Sequence, residues 1–339
     1  MEQEAFFYRR IKDDKVVCGL CPHGCLITPG MRGRCKVREN QDGKLYSLVY
    51  GRLVAENVDP VEKKPLFHFL PGSHTFSIST VGCNFRCRHC QNSSISQYPL
   101  LHNGSVSGRE HTPHEVVERA RDNDCQSISY TYGEPAIYYE FAHDCCELAQ
   151  AQGLKNIFVS NGFMTKEAVR RLAPLLDGIN IDIKSFQDDF YRRVCQARLQ
   201  PVLDAIALFH ELGVWLEVTT LIIPGWNDSP AELRDIARFI HSVDPAIPWH
   251  VSGFYPSYKM LDRPPTSHAA LARARKIGLD QGLAHVYAGN MPGEGGESTS
   301  CPACGTELLD RFGYQILRNS LASGGHCPSC GAEIGGVWA

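Results

Sequence analysis

Cys83-Asn-Phe-Arg-Cys87-Arg-His-Cys90 puts three thiols into one short loop. Iron–sulfur clusters usually take four thiolates. Three thiols this close can hold three corners of a cubane cluster and leave the fourth iron open. An open iron can chelate an amino and a carboxylate group of a small cofactor. The competing reading is a zinc ion with a distant fourth ligand. Zinc sites favour pairs at C-x2-C spacing, and x3 followed by x2 is a different pattern.

Two further groups of cysteines flank this loop. Cys301-Pro-Ala-Cys304-Gly and Cys327-Pro-Ser-Cys330-Gly form two knuckles that predict a closed, structural zinc ribbon. Such a short tail buries little core, so the metal would supply its folding energy. Near the start, Cys18, Cys21, Cys25 and Cys35 could bind zinc, a second iron–sulfur cluster or no metal, with zinc the first expectation. His23 could replace one of these thiols. Arg32, Arg34, Lys36 and Arg38 would offset thiolate charge, or form a solvated face. The remaining cysteines, Cys125, Cys145, Cys146 and Cys195, read as small buried hydrophobes.

The elements that must position the central loop are β-rich runs alternating with amphipathic helices. The strand candidates are Phe76–Val81, Ser127–Thr131, Asn156–Ser160, Gly178–Ile183, Trp215–Ile222 and Trp249–Phe254. Each is a nearly continuous apolar run, as expected of parallel strands covered on both faces. Thr112-Pro-His-Glu115 and Ser229-Pro-Ala-Glu232 each offer a cap, a first-turn Pro and a capping-box Glu. Val202, Ile206, Phe209 and Leu212 share one helical face. Six alternations predict an α/β fold, a partial (β/α)6 TIM-type barrel, with a late strand at His285–Ala288 after a helix at Ser267–Gln281. Its chemistry would sit at the C-terminal ends of the strands. The expected organisation is a Cys-rich extension over residues 1–70, the barrel over 71–292, and a linker plus ribbon over 293–339.

A net charge of −3 advertises no general affinity for nucleic acid, although a local basic patch stays open. The polar start and the lack of a long apolar run predict a cytoplasmic protein with no membrane span.

The loop spacing, with four strand-end motifs, resembles the radical S-adenosylmethionine (SAM) superfamily. Tyr132-Gly133-Glu134-Pro135 is similar to its Gly-Gly-Glu element, whose backbone holds the methionine amino group, with Tyr132 in place of the first Gly. Ser160-Asn161-Gly162, Asp182-Ile183-Lys184 and Thr220-Leu-Ile-Ile-Pro-Gly-Trp-Asn-Asp228 continue the match. Together they look like the branch containing pyruvate formate-lyase activating enzyme. The resemblance implies a [4Fe–4S] cluster on Cys83, Cys87 and Cys90, and SAM contacts from Gly133, Glu134, Ser160 and Asn161. It further implies that Asp182 meets the ribose, Lys184 the methionine carboxylate and His89 the adenine. Each has a plainer reading too. Asp182 and Lys184 alternate on a strand, share a face and could be a buried ion pair. Glu134 could serve a helix start, and His89 could be an exposed loop residue. Two departures stand out. Val159 occupies the position of an acid thought to bind a monovalent cation, and the early Asp-Gly-Pro-Gly segment is missing, which weighs against glycyl-radical activation.

The full layout, including Val58-Asp-Pro-Val-Glu-Lys-Lys-Pro-Leu-Phe-His68, His250–Pro265 and the terminal ribbon, resembles a narrower family. This is the radical SAM enzyme of the AmmeMemoRadiSam system. That resemblance implies Memo-like and AMMECR-like partners. The expected activity is reductive cleavage of SAM, fed by a flavodoxin or ferredoxin, giving a 5′-deoxyadenosyl radical that abstracts hydrogen from a small molecule or nucleoside. Activation of a glycyl-radical enzyme is the alternative within the class; a zinc-dependent RNA- or protein-binding module is the alternative outside it. His68, His250 and Tyr255 are substrate-side candidates by position, with a structural role ahead of a functional one. Tyr138 and Tyr139 are expected to pack a helix.

Overall fold

The computed structural model describes residues 2–289 and 296–338. Its centre is an eight-stranded sheet. The strands are β1 (Ala55–Pro60), β2 (His74–Ser79), β3 (Ser127–Tyr130), β4 (Lys155–Ser160), β5 (Gly178–Asp182), β6 (Trp215–Ile222), β7 (Trp249–Gly253) and β8 (Val286–Gly289). From β2 to β8 every neighbouring pair is parallel, and β1 adds an antiparallel edge against β2. All six expected strands form, and the late run becomes a seventh parallel strand. Strand β1 and strand β8 are the two ends of the sheet, so the barrel stays open.

Helices cover the outer face: α1 (Pro113–Asp122), α2 (Tyr139–Ala151), α3 (Lys166–Leu172), α4 (Gln200–Glu211), α5 (Pro230–Val243) and α6 (His268–Asp280). Thr112 and Glu115 form a reciprocal capping box at α1. At α5 only half of the expected box forms. Ser229 accepts from the Glu232 backbone N–H, but the Glu232 carboxylate turns away. It accepts from Phe186 N at 2.9 Å and from the Ser185 hydroxyl, and so fixes the loop that follows β5. Burial decides this, because two donors in the interior need an acceptor more than a half-solvated helix end does.

Side chains two apart on a strand point the same way. Thr219 and Leu221, His250 and Ser252, and Asp182 and Lys184 therefore all face the barrel interior, where they line a cavity. The strands read as apolar runs because their outer faces pack on helices; polar residues are concentrated on the inner face.

The N-terminal region forms two small three-stranded antiparallel sheets. It is pinned to α2 by a buried ion pair in which both Glu140 carboxylate oxygens accept from Arg38 Nη2, at 2.7 and 2.6 Å. The terminal residues form a short antiparallel sheet of Thr299–Ser300, Glu307–Phe312 and Gln315–Asn319. Of the linker expected at Gly293–Ser300, residues 293–295 lie outside the described residues. The terminal unit holds the segment before β2. Arg311 donates to Phe67 O at 2.6 Å, Val337 N to His68 O at 2.7 Å, and Leu70 N to Val337 O at 2.7 Å.

Candidate active site

A cavity of about 560 Å³ opens at the C-terminal ends of the parallel strands. That size suits a cofactor together with a small substrate. It is lined by Cys83, Cys87 and Cys90, by His89, Gly133, Glu134, Ser160 and Asn161, and by Asp182 and Lys184. The structure thus brings every SAM-side residue expected from the sequence to one site.

The cysteine loop follows β2 and pairs with the turn of π-helix at Tyr191–Cys195. Arg86 N donates to Cys195 O at 2.9 Å and Arg88 N to Val194 O at 3.0 Å. Cys83 Sγ accepts from Phe85 N at 3.3 Å, and Cys90 Sγ lies 3.1 Å from the Ser96 hydroxyl. Burial pushes the Cys83 and Cys90 thiols up; for Cys87 the contact with Cys195 comes first and burial second. Cys195 is fully buried behind Cys87 and does not line the cavity. The four cysteines outside the clusters are all buried, as expected.

Glu134 is buried and held at both oxygens. It accepts from Ser160 Oγ at 2.7 Å, Asn161 N at 2.8 Å and Ala136 N at 3.1 Å. Burial nevertheless pushes its carboxyl up to about 7, the hydrogen bonds opposing this. Its role is more than a helix start, since it ties the ends of β3 and β4 together. Asn161 donates to Asn84 Oδ1 at 2.7 Å and so ties the end of β4 to the cysteine loop.

Asp182 and Lys184 do pair, at 3.1 Å, and both line the cavity. Lys184 is held by its backbone: its N–H donates to the Tyr191 hydroxyl at 3.0 Å and its carbonyl accepts from Asn227 at 2.8 Å. Asn227 comes from the Pro-Gly-Trp-Asn-Asp turn after β6. His89 is buried rather than exposed, and its Nδ1 has no partner. Burial first, and Lys184 second, push its ring down to about 3, so the imidazole is neutral.

Tyr132 has φ of 58°, in the left-handed region that favours glycine. Its hydroxyl donates to Asp59, its carbonyl accepts from Asn92 at 2.8 Å, and Lys64 sits 4.7 Å over its ring. These contacts hold the strained backbone where the Gly-Gly-Glu element has glycine. Val159 lines the cavity and offers no cation ligand.

His250 lines the cavity; His68 and Tyr255 do not. His68 is structural, with Nδ1 on Gly335 O at 2.7 Å and Nε2 on the Tyr287 hydroxyl at 2.6 Å. Tyr255 is exposed. Tyr138 and Tyr139 are buried against the sheet and α3, donating to Ile78 O and Ala168 O. Sequence reasoning missed Glu217, fully buried beneath His250. It accepts from His250 Nε2 at 2.6 Å, His68 N at 2.8 Å, Phe67 N at 3.0 Å and Trp215 Nε1 at 3.1 Å. The signal available was a lone acid inside an otherwise apolar strand. Also missed were Lys64, buried on Asp59 at 2.6 Å, and the hairpin turn Gly313–Tyr314; both line the cavity.

The two outer cysteine groups differ in geometry. In the terminal unit Cys301 and Cys330 sulfurs are 3.7 Å apart, as are those of Cys304 and Cys327. Tetrahedral zinc with bonds near 2.3 Å would space its sulfurs by about 3.8 Å. The four therefore fit a zinc-ribbon-like site. At the N-terminus Cys18, Cys21, Cys25 and Cys35 line one pocket. His23 lines the same pocket, and its Nε2 contacts Asn84 O at 2.8 Å, which leaves Nδ1 as the nitrogen that could replace a thiol.

Residues 77–240 match the Radical SAM superfamily. A protein of Methanocaldococcus jannaschii described only as uncharacterized is 44% identical over 98% of both chains. A putative glycyl-radical enzyme activating enzyme of the same organism is 22% identical, over 61% of this chain and 78% of its own. The chain belongs to the radical SAM superfamily. It is related to the pyruvate formate-lyase activating enzymes, that of Clostridium pasteurianum being 22% identical over 51% of this chain and 74% of its own. In fold it resembles Streptococcus suis SuiB, solved with S-adenosylmethionine, at a TM-score of 0.50 and 13% identity, over 67% of this chain and 52% of that one. A radical SAM protein is an enzyme whose cofactors are SAM and a [4Fe–4S] cluster. The site fits both: three thiols on one loop, a buried ring nitrogen lacking a partner, and a charged pair facing a cavity large enough for the cofactor. Among the described residues no helix is long and apolar enough to cross a membrane.

Proposed function

We propose that this radical SAM enzyme cleaves SAM reductively and removes hydrogen from a small molecule or nucleoside. The observation that supports this most is the shared cavity. The cysteine trio, the proposed SAM contacts and the Glu217-held His250 all border it. Cys83, Cys87 and Cys90 would hold the cluster, and Asp182, Lys184 and His89 would orient the ribose, methionine carboxylate and adenine. Gly133, Glu134, Ser160 and Asn161 would form the edge that receives the methionine end. When bound, cluster and cofactor together supply a 5′-deoxyadenosyl radical. The chain's own task is then to hold substrate near that carbon and keep water away. Phe67 and Leu221 give the cavity apolar walls, while His250, Lys64 and Glu297 offer polar contacts. The terminal unit, with its four cysteines, would carry zinc.

A flavodoxin or ferredoxin is the proposed electron donor. Memo-like and AMMECR-like proteins are the proposed partners, from the family resemblance of the whole layout. The test is anaerobic reconstitution followed by dithionite and SAM, with 5′-deoxyadenosine as the readout. Cys87→Ala should lose the central cluster's share of the absorbance and all of that product; product persisting in the variant sinks the assignment. The names of the 22%-identical relatives favour a second reading, activation of a glycyl-radical enzyme. A glycyl radical detected by electron paramagnetic resonance on a partner would establish it instead.

A further inference from the structure

Zinc is the first expectation for the N-terminal cysteines, yet the geometry around them differs from the terminal unit. Cys18, Cys21, Cys25 and Cys35 converge on one pocket closed by Leu20, Ile27 and Ile137. Among the described residues, the ligand-atom sets that close to within 4.8 Å of one another are the terminal cysteines and His143, Asp144 and Glu147. No three of the N-terminal sulfurs are that close, and neither are those of Cys83, Cys87 and Cys90. One zinc ion pulls its sulfurs to about 3.8 Å. In a cubane cluster each thiolate binds a different iron, so the sulfurs stand wider apart. Neither the N-terminal set nor the central loop is drawn to the spacing of the ribbon.

A second observation points the same way. Arg38 lines this pocket and is 1% exposed. Its Nη2 is spent on Glu140, but its Nε and Nη1 have no partner. Two unpaired guanidinium donors in the interior would be costly. A cluster offers thiolate and sulfide acceptors at that place, and its negative charge is complementary to the guanidinium, whose charge acts on Cys18 and Cys35. Arg34 N already donates to Cys25 Sγ at 3.4 Å, the kind of contact that tunes iron–sulfur thiolates.

We propose that Cys18, Cys21, Cys25 and Cys35 bind a second [4Fe–4S] cluster. Four thiolates close all four iron corners, so this cluster binds no SAM. It sits directly behind the first. The Asn84 carbonyl meets His23, and a side chain at Gly82 would lie 3.3 Å from Cys35 O. The proposal does not rest on the activity proposed above.

The test counts metal in variants of the full chain. Cys83→Ala/Cys87→Ala/Cys90→Ala, reconstituted anaerobically with iron and sulfide, should stay brown. It should retain about four irons and four sulfides per chain and give the paramagnetic signal of a reduced cluster. Should that variant not fold, Cys21→Ser/Cys35→Ser decides the matter. It should fall from about eight irons to about four and keep the paramagnetic signal of the central cluster. The proposal is overturned if the triple variant folds without iron, whether it carries zinc at these cysteines or no metal there. It is equally overturned if the Cys21/Cys35 variant keeps all the wild-type iron.

Discussion

Replacing Glu217 by Gln tests the buried anchor under the cavity. The carboxylate accepts four hydrogen bonds, two at each oxygen: His68 N and Trp215 Nε1 on Oε1, Phe67 N and His250 Nε2 on Oε2. An amide has one acceptor oxygen. If that oxygen keeps His68 and Trp215, the new NH2 faces the Phe67 N–H and His250. His250 can change tautomer and accept, but the Phe67 N–H cannot, so at least one buried backbone donor is orphaned. An orphaned donor costs about 1–3 kcal/mol, and losing a charged acceptor adds about 1 kcal/mol. For 339 residues the unfolding entropy is about 0.7 kcal/mol per degree. A loss of about 3 kcal/mol then lowers the melting temperature by about 4 °C. Differential scanning calorimetry of wild type and variant, both loaded with metal and scanned at one rate, measures this. Burial acts to raise the Glu217 carboxyl, but the hydrogen bond and charge of His250, followed by His68, hold it below its usual range. The stabilisation is therefore present above the ordinary carboxylate pKa and lost as pH falls through the lower folded value. A Gln variant melting within about 1 °C of wild type at neutral pH would refute the reasoning.

Lys184→Met should weaken SAM binding about 10- to 100-fold, the worth of one charged hydrogen bond, measured by equilibrium dialysis of the cluster-loaded protein. If it lowers stability and leaves binding unchanged, the Asp182–Lys184 pair is only structural. The Glu134 carboxyl should titrate near 7, seen as an infrared carboxylic-acid band in wild type minus Glu134→Gln. Its folded pKa is raised, so its contribution to stability is full below the unfolded value and is lost as pH rises through about 7. Removing the proposed zinc by chelation, or Cys304→Ser, should increase hydrogen exchange in residues 307–319. Exchange should also rise in the Phe67–Leu70 segment that Arg311 and Val337 hold, while β4 stays protected. Unchanged exchange in both segments would show that the terminal unit folds without metal.

The local sequence carried much of the site. Thiol spacing within one loop and Ser160 and Asn161 at one strand end are local patterns, and the two-residue backbone repeat gives Asp182 and Lys184 a shared direction. Burial of both faces made β2 to β7 legible as apolar runs, and the cap at Thr112 needed only its neighbours. The Glu232 side chain departs from its local pattern because Ser185 and Phe186, donors far off in the chain, compete for its oxygens. His89 was open between adenine contact and solvent, and only packing against the barrel buried it.

The sequence by itself determined which side chains could bind iron, sulfur cofactor or zinc, since that depends on residue type and near spacing. Only the tertiary structure decided which of them meet. Glu217 reaches Phe67 and His68 across about 150 positions. Arg38 meets Glu140, and Arg311 closes on Phe67, through contacts no local pattern encodes. Such pairings depend on desolvation in a shared interior, and the interior exists only once the strands have wrapped round it.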